Sequence, residues 1–459
     1  MCALHCLSTS VCSKLMTSVG VNTSVRPVEI DVEVGADTPL CPYLSTIMLL
    51  NKLMIMTRHK CLKALVIAVL LTGCSRHVQP NETLVGNSDT LAVELPAGAV
   101  PFSYRRYICF DMVLRDSVSA RMIFDTGANN MLLDSAFYAY YFAANGNLRK
   151  AVLGGAGNGM EMANIDASGW SYRVGNKSHT EKMTVVLNLR KIVGDDVDGL
   201  FGLPFMQGER VEFNYADGYM RFLTAGEEIA NDFMRVDCKW LGNKKERIIL
   251  PLSITFADGY TFNGDFLLDT GMPGTLSLNS TTAKKLKAKG VLDDAGKFVY
   301  TVGGIGGSAV QNDICASRIT VGGYALNDVR INWSENSQGS LADDSYSGLV
   351  GNGLFERFDV VFDFVEWVIY LRPNRNFAAP QPNYFGIAFT PMADHWIVNG
   401  LLEGGNAEKA GLRRGDRIES INGIRATDSN ASSLYPLPEK LTLTVMRDGK
   451  IVEISVHKE

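Results

Sequence analysis

The chain has 459 residues, a length that predicts roughly three domains at about 150 residues each. Its apolar residues (46%) and charged residues (20%) occur in the proportions of an ordinary globular protein. The formal net charge of −5 offers no basic stripe for a phosphate backbone, so nucleic acid is not an expected partner.

The informative part of the N-terminal region begins at Met56. A basic stretch over residues 57–63 precedes an apolar run over residues 64–71, which is too short to span a membrane as a stable helix. This order predicts a signal peptide over residues 56–74. It ends in Leu71-Thr72-Gly73-Cys74, which resembles the lipobox of bacterial lipoproteins, where the cysteine sulfur is acylated. The alternative is a buried apolar helix with an incidental cysteine.

A lipobox at Cys74 has consequences for the residues around it. Residues 1–55 become an unstructured upstream extension that results from an early gene start, and residues 75–100 become a linker. The resemblance implies a bacterial cell-envelope protein that is anchored in the membrane through lipid on Cys74. The absence of an acidic run after Cys74 favours the side that faces the periplasm.

Cysteine and histidine spacing predicts no metal site. After Cys74, three of the nine cysteines remain, Cys109, Cys238 and Cys315, and an odd trio is not a disulfide framework. One disulfide between two of these cysteines is possible in an oxidising compartment, and the sequence does not indicate which pair forms it. Neither a Cys-x-x-Cys pair nor a histidine cluster has the spacing of metal ligands, so we expect neither metal nor cofactor.

Two copies of one pattern occupy residues 102–371, where short alternating strands separated by Gly, Asn and Asp predict a mostly β structure. In each copy a hairpin delivers an apolar strand into an Asp-Thr-Gly loop. The first loop is Asp125-Thr126-Gly127 and the second loop is Asp269-Thr270-Gly271. Each copy continues to a Gly-apolar-apolar-Gly element, at 199–202 and 348–351, and closes with another hairpin. We interpret the copies as two duplicated lobes, residues 101–228 and 229–378.

Glycines also cluster in the middle of each copy, over residues 154–159 and 303–307. This composition is typical of a β-hairpin flap that moves over a site, and equally of a flexible surface turn. The sequence leaves both interpretations open.

A separate C-terminal domain is predicted over residues 379–459, after a boundary rich in proline and asparagine. Segments such as 407–412, 415–418 and 421–423 follow one another in an order that resembles a PDZ domain of the kind attached to bacterial envelope proteases. The resemblance implies that the backbone amides of Phe385, Gly386 and Ile387 bind the C-terminal carboxylate of a peptide.

The two Asp-Thr-Gly loops carry the predicted chemistry. Glycine permits the tight turn and the close backbone approach, and each threonine hydroxyl can hydrogen-bond across to the opposite loop. Asp125 and Asp269 then meet near a pseudo-twofold axis. Two carboxyls about 3 Å apart share one proton, so one can take a proton from water while the other protonates a carbonyl oxygen.

This arrangement resembles the aspartic peptidases, both pepsin-like and retropepsin-like. The short lobes and the Phe124–Ala128 run are closer to bacterial retropepsin-like proteins that carry both halves in one chain with a C-terminal PDZ domain. Over residues 101–459 the resemblance implies a pair of β barrels followed by an α+β PDZ domain. It implies an endopeptidase for peptide or protein substrates with Asp125 and Asp269 as the catalytic dyad. The residues that support the dyad are Thr126, Gly127, Thr270 and Gly271.

The residues that follow the loops depart from the pattern. Many family members have a Ser or Thr there that donates to the carboxylate, whereas this chain has Ala128 and Met272. Because fewer donors to the charged form raise a carboxyl pKa, we expect activity at weakly acidic to near-neutral pH. Asn129 and Pro273-Gly274 are also unusual, and they predict a distorted second loop. An inactive peptide-binding envelope lipoprotein and a PDZ scaffold therefore remain alternatives.

Overall fold

The computed structural model describes residues 95–104, 107–142, 148–194, 196–242, 247–292, 298–392, 394–427 and 437–459. The predicted upstream extension, the signal peptide, Cys74 and most of the predicted linker lie outside these ranges. Within them, strands far outnumber helices, which confirms the mostly β prediction.

The first lobe is built around a ten-stranded sheet. Its strands follow the order β6-β7-β10-β5-β11-β4-β3-β8-β9, with β2 paired to β3. The bounds are β1 Val100–Pro101, β2 Ser103–Tyr104, β3 Ile108–Leu114, β4 Val118–Phe124, β5 Leu132–Asp134, α1 Ser135–Tyr141, β6 Arg149–Gly154, β7 Met160–Asp166, β8 Trp170–Val174, β9 Lys177–Glu181, β10 Thr184–Leu187, α2 Arg190–Val193, β11 Gly199–Phe201, a 3₁₀ turn Leu203–Met206, β12 Arg210–Asn214 and β13 Tyr219–Phe222. Helix α1 begins after Asp134, whose carboxylate accepts from the amides of Ala136 and Phe137 as an N-cap.

The second lobe repeats this plan with an eight-stranded sheet in the order β15-β16-β17-β22-β18-β21-β20-β19. The bounds are β14 Met234–Asp237, β15 Lys239–Leu241, β16 Arg247–Thr255, β17 Thr261–Leu268, β18 Leu276–Leu278, α3 Ser280–Lys287, β19 Val299–Gly304, β20 Gly307–Val321, β21 Tyr324–Ser334, a 3₁₀ turn Ser340–Ala342, β22 Gly348–Val350, α4 Asn352–Phe355, β23 Phe358–Asp363 and β24 Val368–Pro373. Asn279 caps α3 as Asp134 caps α1, by accepting from the amide of Thr282.

A third sheet joins the lobes. The closing hairpins β12–β13 and β23–β24 lie side by side in the order β1-β13-β12-β23-β24-β14, and β12 runs antiparallel to β23 with Phe213 opposite Val360. The ring of Phe213 stacks on Phe124 of the first lobe at 5.0 Å and meets Phe362 of the second at 5.5 Å. One apolar core therefore continues from lobe to lobe directly beneath the residue that precedes Asp125.

The C-terminal residues form a smaller α+β unit with its own core. Its strands follow the order β25-β26-β27-β29-β30, with β28 paired to β27. The bounds are β25 Ile387–Pro391, β26 Trp396–Leu401, α5 Asn406–Lys409, β27 Arg417–Ile421, β28 Ile424–Arg425, β29 Lys440–Arg447 and β30 Lys450–His457. Trp396, Ile418 and Leu443 lie at the centre of this second core.

Two further findings bear on the sequence predictions. No disulfide joins Cys109, Cys238 and Cys315, the three cysteines of the described ranges. No helix of the described residues is both long and apolar enough to cross a bilayer.

Candidate active site

Equivalent strands deliver the two predicted loops to one place. Strand β4 ends at Phe124 and pairs in parallel with β11, while β17 ends at Leu268 and pairs in parallel with β22. The amide of Asp125 donates to the carbonyl of Phe201 at 2.9 Å, and the amide of Asp269 donates to that of Val350 at 2.9 Å. Each aspartate therefore leaves its lobe at the same point, against the matching Gly-apolar-apolar-Gly element.

The last glycine of each of these elements is required by close packing against the loop. A Cβ on Gly202 would lie 1.9 Å from the carbonyl oxygen of Ala128, and a Cβ on Gly351 would lie 2.3 Å from that of Met272. No side chain fits at such distances from backbone atoms. The repeated glycine thus allows each Asp-Thr-Gly loop to pack directly against the backbone of the Gly-apolar-apolar-Gly element.

The two threonines lock the loops together. The hydroxyl of Thr126 accepts from the amide of Thr270 at 3.0 Å and donates to the carbonyl of Leu268 at 2.8 Å. The hydroxyl of Thr270 accepts from the amide of Thr126 and donates to the carbonyl of Phe124, both at 2.9 Å. Both threonines are fully buried, so these four hydrogen bonds have no competing water.

The loop glycines bring the two carboxyls into contact. A Cβ on Gly127 would lie 2.9 Å from Oδ1 of Asp269, and a Cβ on Gly271 would lie 2.6 Å from Oδ2 of Asp125. The amide of Gly127 donates to Asp125 at 2.8 Å, and the amide of Gly271 donates to Asp269 at 2.9 Å. The structure therefore brings together all six loop residues that the sequence analysis selected.

The carboxyls of Asp125 and Asp269 are half-buried and hydrogen-bonded to each other. Burial raises the pKa of Asp125, and hydrogen bonds from the backbone amides of Gly127, Ala128 and Gly271 oppose that rise. Burial and the neighbouring charge of Asp125 raise the pKa of Asp269 well above its ordinary value. The pair therefore retains one proton to a higher pH than two separate, exposed carboxyls would.

The second loop matches the first despite its unusual sequence. The amide of Met272 donates to the carbonyl of Asp269 at 3.0 Å, as the amide of Ala128 does to that of Asp125 at 3.1 Å. The Met272 side chain packs against an apolar cluster of the second lobe that includes Leu349. The expected distortion at Met272 and Pro273 was wrong, because this packing lets methionine occupy the position without displacing the turn.

One residue beside the second loop was missed from sequence. Asn352 is fully buried, donates through Nδ2 to the carbonyl of Thr270 at 2.6 Å and accepts through Oδ1 from the Tyr215 hydroxyl at 2.8 Å. Tyr215 belongs to the first lobe, so this chain of hydrogen bonds is a second polar link between the lobes at the dyad. An asparagine directly after Gly351 was its only sequence signal.

The two glycine clusters lie at the ends of β-hairpins that touch each other. We call the hairpin β6–β7 the first flap and the hairpin β19–β20 the second flap. At their tips the amide of Gly157 donates to the carbonyl of Ile305 at 2.9 Å. Ile305 also packs against the apolar cluster of the first lobe that contacts Ala128. The flap tips thus form a further contact between the lobes, in addition to the interlobe sheet, the dyad loops and the Asn352–Tyr215 link.

The first flap also docks on the second lobe through polar contacts. The carbonyl of Gly155 accepts from the amide of Ser340 at 2.9 Å, and Oδ1 of Asn158 accepts from the amides of Ser337 and Gln338 at 2.8 and 3.1 Å. A Cβ on Gly157 would lie 2.5 Å from the carbonyl carbon of Gly306. The glycines therefore permit tip-to-tip packing as well as a turn.

The predicted peptide-binding residues of the C-terminal unit lie at the start of its sheet. Phe385 is buried in the core, Gly386 has a φ of +61° and Ile387 begins β25. Strand β25 pairs with β26 on one side and ends the sheet on the other.

As for metals, no group of three or more His, Cys, Asp or Glu side chains suited to hold an ion occurs in the part of the chain described here.

Comparison with known proteins identifies the C-terminal unit. Residues 397–447 match the family described as a PDZ domain. These residues form a PDZ domain. The crystal structure of an aspartic proteinase from Irpex lacteus is similar to this chain with a TM-score of 0.38 and 13% identity, covering 61% of this chain and 98% of that chain. No curated protein sequence matches the chain. The interpretation of the two loops therefore rests on their geometry.

The raised pKa of Asp269 predicts a pH-dependent stability. The folded chain keeps a proton there that the unfolded chain has lost, so stability falls by about 1.4 kcal/mol per pH unit as pH rises from the unfolded toward the folded pKa. The Asp269→Asn variant has no carboxyl at this position and therefore lacks this pH-dependent contribution to the free energy of unfolding. We expect the variant to have a higher free energy of unfolding than wild type at pH 7, and a shallower decline between pH 4 and 7, in urea titrations.

Asp258→Asn is the matched control, because Asp258 is exposed in a hairpin turn of the same lobe. The free energy of unfolding of Asp258→Asn should depend on pH as that of the wild type does. An Asp269→Asn variant that keeps the wild-type pH slope, or loses stability at pH 7, would contradict the assignment of the shared proton.

Proposed function

We propose that this protein is an aspartic endopeptidase that hydrolyses peptide bonds with water activated between Asp125 and Asp269. The observation that carries the proposal is the contact between two carboxyls held by reciprocal threonine hydrogen bonds, where burial raises the pKa of both groups. A domain that only binds peptides has no need for two like-charged groups in contact. Repulsion and burial make that arrangement costly for folding.

The two carboxyls take different roles in the proposed reaction. The ionised carboxyl of the Asp125–Asp269 pair accepts a proton from the attacking water, while the protonated carboxyl donates its proton to the carbonyl oxygen of the scissile bond. The water oxygen then bonds to the carbonyl carbon and forms a tetrahedral intermediate. The carboxyl that took the proton from water then gives it to the amide nitrogen, and the other carboxyl takes a proton back from a hydroxyl of the intermediate. The C–N bond breaks, a carboxylic acid and an amine are released, and the pair again holds one proton. Neither a covalent enzyme intermediate nor a metal is required.

The flaps suit an extended peptide as substrate. The lobes touch at the dyad loops and again at the flap tips, so a chain that crosses the carboxyls would be enclosed between the two contacts. Ile305, Met272 and Ala128 contribute apolar surface near this space, which favours hydrophobic side chains on the substrate. Entry of a peptide would require the tips to separate.

The PDZ domain is proposed to bind a second peptide segment. An extended chain would add to the open side of β25, with its C-terminal carboxylate at the amides of Phe385, Gly386 and Ile387. Its partner would be the substrate protein or a regulator. The proposed location is the bacterial cell envelope on the periplasmic side, with Cys74 as the lipid anchor.

The proposal predicts hydrolysis that depends on both carboxyls. The purified chain should cleave members of a mixed peptide library, and Asp125→Asn and Asp269→Asn should each reduce kcat/KM by at least about 10³-fold, because neither variant can both accept and donate the proton. Mass spectrometry of the products measures the effect. Asp258→Asn should retain full turnover. Equal turnover in all four proteins, or none in wild type, would leave an inactive peptide-binding protein as the better account.

The proposal also predicts a weakly acidic to near-neutral pH optimum. Burial raises the pKa of both carboxyls, and Ala128 and Met272 offer no hydroxyl that would lower it. Ala128→Thr should move the acid limb of the kcat/KM profile to lower pH, since a hydroxyl that donates to the ionised carboxylate lowers its pKa. Ala128→Val, which has the same shape without the donor, should not. An optimum below about pH 3 in the wild type would refute the expectation, because ordinary carboxyls titrate near pH 4.

The lipid anchor predicts a specific requirement for the Cys74 thiol. In a bacterial host supplied with a labelled fatty acid, Cys74→Ser should abolish labelling and move the protein from the membrane to the soluble fraction, because acylation needs the sulfur. Cys109→Ser should leave both unchanged. Persistent labelling and membrane association of Cys74→Ser would exclude this anchor.

A further inference from the structure

The PDZ domain packs along the free side of the second flap. Strand β19 of that flap ends the second-lobe sheet, and β20 is its only neighbour there. Facing it, Nδ2 of Asn399 donates to the carbonyl of Thr301 at 3.0 Å. Gly400 packs so closely that a Cβ would lie 2.7 Å from the carbonyl oxygen of Val299. At the base of the flap, Phe298 forms an antiparallel bridge with Leu402.

Asn399 also contacts the strand that is open to peptides. Its Nδ2 makes a second donation, to the hydroxyl of Thr390 on β25, at 2.5 Å. Its Oδ1 is buried and has no hydrogen-bond partner among the described residues. A flipped amide would place that oxygen against the carbonyl of Thr301, so the two donations fix the orientation of the side chain. Strand β25 and the second flap are therefore joined through one amide group.

The segment that leads into β25 lies against the base of the same flap, at Phe298, and against Arg330 of the neighbouring strand β21. The guanidinium of Arg330 lies 3.2 Å from the ring centroid of Tyr384, and the ring of Tyr384 meets that of Phe298 edge-on at 5.9 Å. Tyr384 directly precedes the predicted carboxylate-binding residues Phe385 and Gly386. Both ends of the proposed peptide groove thus contact the base or the stem of the second flap.

The first flap is held by different contacts within the described part of the chain. Its outer strand β6 also ends a sheet, but its outward side chain Val152 is 55% exposed. Near its tip the first flap contacts the second lobe, where Asn158 accepts from the amides of Ser337 and Gln338, Gly155 accepts from the amide of Ser340, and Gly157 donates to the carbonyl of Ile305. The two flaps are therefore equivalent in topology and unequal in what holds them.

We propose that Asn399 is a positioning residue through which strand β25 of the PDZ domain holds the second flap, so that a change at β25 alters how readily this flap opens. The consequence for turnover rests on the proposed peptidase function. The coupling itself does not, because it is a property of the flap and the PDZ domain. A peptide that joins β25 would act on the dyad by this route, without touching it.

Hydrogen exchange on the purified full chain tests the coupling without any substrate. In Asn399→Leu, which removes the amide but keeps the size of the side chain, amides of residues 299–304 should exchange about 2- to 10-fold faster, the effect of losing one ordinary hydrogen bond on an opening equilibrium. Thr390→Val alters only β25 and should act in the same direction. The double variant should exchange no faster than Asn399→Leu alone, because both changes break one link.

Two controls separate this coupling from general damage. Residues 149–154 of the first flap should exchange at the wild-type rate in every variant. Asn406→Leu is the matched substitution, because the Asn406 amide donates to the carbonyl of Lys458 within the PDZ domain itself. It should leave residues 299–304 unchanged. Slow exchange of the β29 amides shows that the PDZ domain stays folded in each variant. If Asn399→Leu unfolds the domain, Thr390→Val still tests the coupling, because Thr390 is exposed and its substitution leaves the PDZ core unchanged.

The outcomes distinguish the coupling from the peptidase proposal. Faster exchange of residues 299–304 in both single variants, with a change in KM for a short peptide larger than the change in kcat, supports both. Faster exchange of residues 299–304 in a chain that shows no Asp269-dependent turnover supports the coupling and contradicts the proposed peptidase function. Unchanged exchange in Asn399→Leu and Thr390→Val, or an equal effect of Asn406→Leu, overturns the coupling.

Discussion

The contact between Asp125 and Asp269 is the constraint on which the rest of the molecule depends. Two carboxyls in contact repel each other when both are charged, and burial adds the loss of their hydration. Four hydrogen bonds through Thr126 and Thr270 oppose the separation of the loops. The strands, the glycine elements and the interlobe sheet all hold these loops in place.

The two halves have diverged around this common centre. Buried Asn352 contacts the second loop, Met272 fills an apolar wall beneath it, and the PDZ domain lies against the second flap. All three features belong to the second half. The second half of the duplicated fold therefore carries contacts at its loop and at its flap that the first half does not match.

Local patterns in the sequence predicted most of the site. The hairpin before each aspartate, the glycine element after it and the Asp-Thr-Gly loops are short-range features, and the structure brings them together as expected. The interlobe sheet could not be predicted, because alternation in β12 and β23 does not specify which distant strand they join. Met272 was misjudged for a similar reason. Its effect depends on an apolar wall that is assembled from residues far away in the chain.

The glycine clusters and Asn399 show where sequence reasoning ends. Glycine composition predicted either a flap or a surface turn at residues 303–307, but not that Ile305 would reach the opposite lobe. Asn399 is one polar residue within a strand, and its importance arises from two partners in different domains. Contacts of this kind depend on how folded units meet, which a single sequence does not specify.

The central claim, that the two carboxyls share one proton, is tested most directly by a carboxyl ¹³C NMR titration of the chain labelled at aspartate, with Asp125→Asn and Asp269→Asn used for assignment. The account predicts that the two resonances shift together in two separated steps. One proton should persist to a pH at which ordinary exposed carboxyls, with pKa values near 4, are fully ionised. Two independent titrations near the ordinary aspartate pKa would contradict it.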